Sequence, residues 1–413
     1  MTPHPLARRS LIGDALAGAA PVLTGGGAAR AVAAPLAPPV RSADAPPLTP
    51  LPPLDPSTLR ACVADLDHPA ATSAQLRVAG PAGRWYGAAG AADLGSGRPV
   101  RPGDRFRAAS VTKAFVATLV LRLAAHGRVE LDAPVGGQLP GLLPPAFGRI
   151  TVAQLLDHTS GLPDHRGVPV IRTPEDVVRH RFDRWTPREI VATVTGDPLK
   201  FAPGTAQEYR GVNYVLLALL VEEVTGQPYG AAIRDRLLRP LGLERTLFPG
   251  DDPRLHGPHV HNYLRMTDGS LRDVTVYDPS SSWGEGELVS TVDDLDRFLD
   301  ALFGGELLPA RMTERLFTLP PGDVRMLDGG PARYSMGLQT ATVNGVTFWG
   351  KTGEWHGCRT RMFSTRDRRR RFVLVCTPTT MDADDAMTGP GGRRAHRGPA
   401  PVTVPPVTRP AMT

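Results

Sequence analysis

The chain carries 47 basic side chains of lysine and arginine, yet only three of them are lysines, at positions 113, 200 and 351. Two of these fall in short polar motifs. Lys113 closes Ser110-Val-Thr-Lys113, and Lys351 opens Lys351-Thr-Gly353. Arginine keeps its proton in proteins, whereas a buried lysine can lose one. A position that must act as a neutral base therefore has a chemical reason to stay lysine. Serine three residues before lysine puts both side chains on one face of a helix. A lysine held there away from water can accept the serine proton and make the hydroxyl a nucleophile. A serine where strand becomes helix also turns its backbone N–H toward an incoming oxyanion.

Elements able to position these groups can be read from apolar spacing. Gln75 to Ala91 reads as strand, turn and strand, with Gly80-Pro81-Ala82-Gly83 as the turn. Phe106 to Ser110 leads into an amphipathic helix from about Val111 to Ala125. Phe115, Val116, Leu119, Val120 and Leu123 recur there at helical spacing, and Gly127 is the stop. Further helices are expected near 152–157, over 213–225 before Gly226, and over 291–303 behind the Ser290-Thr291 start signal. Strand patterns return at 335–340, 346–351, 358–364 and 372–376. Strands at both ends around a helical middle predict one sheet built from both termini, with a helical insertion.

The segment Phe106-Arg-Ala-Ala-Ser-Val-Thr-Lys-Ala-Phe115 resembles the nucleophile segment of the class C β-lactamase and D-alanyl-D-alanine carboxypeptidase family, which includes related esterases. Further landmarks continue the resemblance in order: Leu131-Asp-Ala-Pro-Val135, Ile150 to Leu162, Phe201-Ala-Pro-Gly-Thr205, Asn213 to Leu217, Pro240-Leu-Gly-Leu243, Val289 to Leu295 and Gly350-Lys-Thr-Gly353. It spans roughly residues 58 to 376. The resemblance implies an α+β fold, an antiparallel sheet flanked by helices with an all-helical insertion. It also implies roles. Ser110 is the acylated nucleophile, and Lys113 and Tyr209 share general-base and general-acid work. Lys351 and Thr352, with Gly353 of the same motif, orient a substrate carboxylate. The backbone N–H groups of Ser110 and Glu354 form the oxyanion hole, and Trp283 aligns with an aromatic cleft wall, or simply packs. A phenol at Tyr209 beside two lysines is expected to have its pKa lowered.

Two departures stand out. The family's Tyr-x-Asn reads Tyr209-Arg210-Gly211, so the amide that holds substrate and lysine is missing, while Arg210 brings bulk and charge. Losing such a donor costs ~1–3 kcal/mol, enough to slow amide hydrolysis without abolishing acylation. The family's closing amphipathic helix is also absent from the pattern after Cys376. One sheet face is then bare or covered by the N-terminal segment alone, and lower stability is expected.

Residues 1–33 read as an export signal, with Arg8-Arg9 of twin-arginine type and small residues at Ala31-Val-Ala33. Residues 34–57 read as a Pro/Ala-rich linker, 58–376 as the hydrolase domain, and 377–413 as a disordered Pro/Gly/Arg-rich tail. The net charge of +6 does not point to nucleic acid, and no long apolar run predicts a transmembrane helix. Arg368 to Arg371 read as a solvated hairpin turn. Cys358 and Cys376, equidistant from Asp367, could face each other on adjacent strands, with buried free thiols the commoner outcome. His256, His259 and His261 read as an ordinary loop, and His158 as structural. No metal or cofactor is expected, and the expected form is a monomer acting on a D-alanyl peptide, β-lactam or ester. The leading reading is an exported serine hydrolase working through an acyl-enzyme. An esterase of the same fold and an impaired protein that binds cell-wall peptide or β-lactam are the alternatives.

Overall fold

The computed structural model describes residues 51–67, 70–381 and 387–388. The expected export signal, most of the linker and most of the tail lie outside the described residues. Strand β1 (Ala71–Gly80) and strand β2 (Gly83–Asp93) form the N-terminal hairpin, extended by the short β3 (Arg98–Pro99). Strand β4 (Phe106–Ala109) leaves this sheet and pairs with β5 (Leu288–Ser290). The C-terminal part supplies β6 (Gln339–Val343), β7 (Val346–Trp355), β8 (Cys358–Thr365) and β9 (Arg371–Pro378). The seven-stranded sheet runs β6-β7-β8-β9-β1-β2-β3. Strand β9 joins β1 in antiparallel register, with Leu374 opposite Leu76, so the sheet is indeed built from both ends of the domain.

Alternation along β1 assigns the two faces. Leu76 and Val78 point to the side covered by helix α1 (Pro56–Ala64), where they pack with Val63. Asp55 caps α1 by accepting from the Ser57 and Thr58 backbone N–H groups, so ordered structure starts inside the expected linker. Arg77 points to the other side, where Asp296 of helix α5 (Val292–Phe303) accepts from it at 3.1 Å. Helix α2 (Thr112–Ala125) lies next to α5, their Phe115 and Phe298 rings stacked at 3.7 Å. The helical middle adds α3 (Val152–Leu156), with a Thr151/Gln154 capping box, and α4 (Val212–Thr225), which ends at Gly226 in the left-handed region.

Several expectations are corrected. Helix α2 starts at Thr112 and is apolar and buried almost all round, not amphipathic; only Arg122 and Ala125 escape full burial. The strand expected over 335–340 begins at Gln339, because Ser335 to Leu338 form a turn with Gly337 at φ 98°. Arg368 to Arg371 do form the β8–β9 turn region, but the run is not simply solvated. Arg371 is 5% exposed and ion-paired to Asp296 at 2.8 Å, and Arg368 reaches Asp300 at 3.0 Å. The tail does not lose structure at residue 377: β9 runs to Pro378, and Met387–Thr388 pair with Val170–Ile171.

The cysteines do not face each other. Ser364 pairs with Arg371, so the hairpin midpoint falls between Asp367 and Arg368. Arg359 then opposes Cys376, and Cys358 lies one residue off, on the opposite face. Cys358 sits in the main core and donates to the Arg107 carbonyl at 3.0 Å, whereas Cys376 packs with the α1 cluster. All three cysteines are free. Reductant should leave the melting temperature unchanged within about 1 °C, and alkylation after denaturation should find three thiols. A reductant-dependent loss of stability would contradict this register.

Candidate active site

Ser110 stands at a sharp corner between β4 and α2. Ala109 immediately before it is held at φ 49°, a region that costs a residue with a Cβ. Thr112 secures the corner: its hydroxyl donates to the Ala109 carbonyl at 2.7 Å and accepts from the Leu288 N–H at 3.0 Å. Three residues after Ser110, in the first turn of the helix, Lys113 is completely buried, and its Nζ lies 3.2 Å from Ser110 Oγ. Burial disfavours the lysine charge and pulls its pKa down, against an opposing push from Glu285.

Glu285 was not recognised in the sequence. Its carboxylate Oε2 lies 2.5 Å from Lys113 Nζ, and its backbone carbonyl accepts from the same nitrogen at 2.8 Å. It also accounts for the first departure from the family motif. A Cβ on Gly211 would come 2.3 Å from Glu285 Oε2 and 2.6 Å from its Cδ. The carboxylate therefore fills the space beside Gly211 where the motif asparagine would begin. The available signal was Trp283-Gly-Glu285-Gly-Glu287, two acidic residues in a stretch that leads straight into β5.

Tyr209 is brought to the same point. Lys113 Nζ lies 5.0 Å and Lys351 Nζ 4.7 Å from its ring centre. The expected lowering of its pKa is overturned. Burial of the phenol, reinforced by the negative Glu285, pushes it well above the usual tyrosine value, and these outweigh a lowering effect from Ser110. The hydroxyl is buried and closes no hydrogen bond of full geometry, so it faces Ser110 as a neutral phenol.

Arg210 brings no bulk to Ser110. Its guanidinium is ion-paired to Asp164 at 2.5 Å, and its backbone N–H donates to His158 Nδ1 at 3.1 Å. Burial and the two lysines keep His158 neutral, which suits an acceptor at Nδ1. Asn213 at the start of α4 lies 3.3 Å from the same nitrogen and accepts from Ser160 at 2.8 Å. His158 thus holds the backbone beside Tyr209 in place.

Strand β7 supplies the opposite wall. Lys351 is 3% exposed, and its Nζ donates to the Thr352 carbonyl at 2.9 Å and to Gln339 Oε1 at 3.3 Å. Thr352 Oγ1 donates to the same Gln339 oxygen at 3.1 Å. Burial and repulsion from Lys113 pull Lys351 well below the ordinary lysine value. Gly353 permits close approach of the two strands, since a Cβ there would meet the Ala108 carbonyl oxygen at 2.0 Å. Glu354 follows, its side chain ion-paired to Arg361 at 2.9 Å. Trp283 packs edge-to-face on Tyr229 at 4.8 Å against the core. The His256 and His261 rings pair with Asp252 and Asp273, and the described residues contain no cluster arranged to hold a metal ion.

A serine at a strand-to-helix corner, a buried lysine at hydrogen-bond distance, and a tyrosine beside a second buried lysine define a site of the β-lactamase-fold serine hydrolases. A family profile described as Beta-lactamase matches residues 59–395, and the chain belongs to that family. Esterase EstB of Burkholderia gladioli is 33% identical over 249 residues, covering 52% of this chain and 61% of the relative. Penicillin-binding protein 4* of Bacillus subtilis is 27% identical over 301 residues, covering 69% and 63%. The chain thus spans under two thirds of the length of these curated relatives. Among solved structures, a D-stereospecific amidohydrolase from Streptomyces sp. matches with TM-score 0.70 and 31% identity, over 79% of this chain and 95% of that one.

Next to Glu285, the Glu287 carboxyl is buried, accepts from Tyr229 Oη and from the Gly284 N–H, and is pushed up by burial to about 7 from 4.5. The folded state therefore binds this proton more tightly than the unfolded state. The resulting stability is complete below pH 4.5 and is lost as pH rises through about 7. Glu287→Gln should remove that loss and gain up to ~3 kcal/mol at alkaline pH relative to the native protein. Urea unfolding from pH 5 to 8 checks this; parallel profiles for the two proteins would contradict it.

Proposed function

We propose that the protein is a serine hydrolase that forms an acyl-enzyme on Ser110 and releases it to water. The proposed acyl donors are D-configured amides or esters, with D-alanyl peptides and β-lactams in the same chemical class. The observation that carries this reading is the 3.2 Å approach of a fully buried Lys113 Nζ to Ser110 Oγ. In its neutral form the lysine takes the serine proton as Oγ attacks the carbonyl carbon. The N–H groups of Ser110 and Glu354 receive the oxyanion. Tyr209, kept protonated by burial, suits the general-acid half of the work, passing a proton to the leaving group. Lys351 bonds only neutral oxygens among the described residues, which leaves its charge for a substrate carboxylate. The amidohydrolase and penicillin-binding relatives support the choice of substrate class.

Ester hydrolysis is the second reading, favoured by Gly211. An ionised Glu285 carboxylate accepts hydrogen bonds and cannot donate one to a substrate amide, as the missing asparagine would. The esterase relative agrees with this reading.

Incubation with a fluorescent penicillin, a p-nitrophenyl ester and D- and L-amino-acid amides separates these readings. Intact-mass analysis should find an acyl adduct on Ser110, and Ser110→Ala should lose every covalent product. Lys113→Arg, which keeps the charge but not the base, should lower acylation by at least about 10²-fold. A fully active arginine variant would refute the lysine base. Export by residues 1–33 remains part of the proposal. Fusing that segment to a reporter that works only outside the cytoplasm should yield signal that is lost in Arg8→Lys/Arg9→Lys; unchanged signal would count against it.

A further inference from the structure

The family roles do not absorb Glu285. Lys113 Nζ meets three oxygens: Ser110 Oγ at 3.2 Å, the Glu285 carbonyl at 2.8 Å and Glu285 Oε2 at 2.5 Å. An ammonium has three protons, and these three acceptors match them. In that state Lys113 donates to Ser110 and cannot take its proton. Of the three neighbours, only the Glu285 carboxylate can hold a proton as a stable acid. The lysine side chain is 0% exposed and the glutamate 7% exposed, so water does not substitute for either. Separated charges are costly at such a site, which narrows the gap between ammonium–carboxylate and amine–carboxylic acid. The space for this carboxylate exists because residue 211 has no side chain.

We propose that Glu285 is a positioning residue of this site: it stands in for the missing motif asparagine, aims Lys113 at Ser110, and exchanges a proton with it. The inference rests on the acyl-enzyme reading above. In the resting pair, Lys113 carries the ammonium and Glu285 the carboxylate. One N–H bond breaks, an O–H bond forms on Oε2, and both groups become neutral. The freed amine lone pair then takes the proton of Ser110 as the Oγ–carbon bond forms. When the tetrahedral species collapses, Lys113 returns that proton to the leaving group by way of Tyr209. Deacylation repeats the exchange with water in place of serine, and the pair ends with the protons it began with.

The groups around the pair that titrate or carry charge come from four elements. Tyr209 precedes α4, Tyr214 lies on it, and Tyr334 precedes β6; all three are pushed up by burial and keep their protons. His158, after α3, is held neutral. Lys351 of β7 interacts with both members of the pair through charge, and Glu354 beside it acts on Lys351 and Tyr209.

The test is the pH dependence of kcat/KM for a p-nitrophenyl ester, with intact-mass detection of the Ser110 adduct. Glu285→Gln keeps an oxygen for Lys113 but removes the group that takes its proton. The lysine must then lose that proton to solvent, so the acid limb should move to higher pH by at least about one unit. Glu285→Ala loses the aim as well and should fall at least about tenfold across the range. Gly211→Asn alone should displace the carboxylate and fall similarly. Gly211→Asn/Glu285→Ala restores the family's side-chain set and should recover at least about tenfold over either single variant. A wild-type profile in Glu285→Gln, or losses in the double variant that simply add, would overturn the inference while leaving a Ser110 adduct in place. If Glu285→Gln does not fold, the double variant decides the matter alone. Absence of any adduct on the native protein would instead overturn the acyl-enzyme reading and this inference with it.

Discussion

A lysine with no contact with water is the constraint to which this active site is fitted. Lys113 is worth burying only if its surroundings can both tolerate and withdraw a positive charge. The surroundings do so with one carboxylate, two peptide or hydroxyl oxygens, and the faces of two tyrosine rings. They come from three parts of the chain: Ser110 beside the lysine itself, Glu285 ahead of β5, and Tyr209 and Tyr214 around the start of α4. The helix that carries Lys113 is buried on nearly every side, so the side chain has little freedom to leave that contact set.

The scaffold explains how such distant parts converge. Strand β7 approaches β4 through Gly353, bringing the second buried lysine to within ring distance of Tyr209. His158 and Asn213 fix the backbone beside that tyrosine with neutral hydrogen bonds, at a point where two lysines already supply positive charge. The Arg210 charge is taken up by Asp164. The result is a cluster in which the charges of Lys113, Glu285 and Lys351 lie among phenols and amides, with the Glu354–Arg361 pair beside them.

Ser110, Lys113 and Lys351, which the structure brings together, could be singled out in the sequence because chemistry restricts the residue types able to fill the proposed roles. Lysine cannot be exchanged for arginine at a base, and in this arginine-rich chain that preference is visible. The sheet built from both termini was legible from period-two patterns at both ends. Glu285 was not, because a glutamate after Trp283 has no local pattern that separates it from a solvated charge; only the fold shows it entering the space beside Gly211. The Tyr209 expectation failed for a related reason. Sequence neighbours revealed the nearby positive charges but not the depth of burial, and desolvation proved the stronger effect. The free thiols agree with the commoner outcome expected, but the possibility that Cys358 and Cys376 face each other is removed by a single residue of register, which no hydrophobic pattern in the turn specifies.

The closure of β9 on β1 has a consequence for when the site is assembled during synthesis. Strand β1 is made early, yet its partner arrives some 300 residues later, and Lys351 comes almost as late. Such long-range pairing is slow to form because the loop must close before the contact is gained. Ser110 and Lys113 are adjacent in the nascent chain, but the strand that brings Lys351 to them is not. A ribosome-bound fragment would thus hold the first two residues without the third, and the site would be assembled only once nearly the whole domain has emerged.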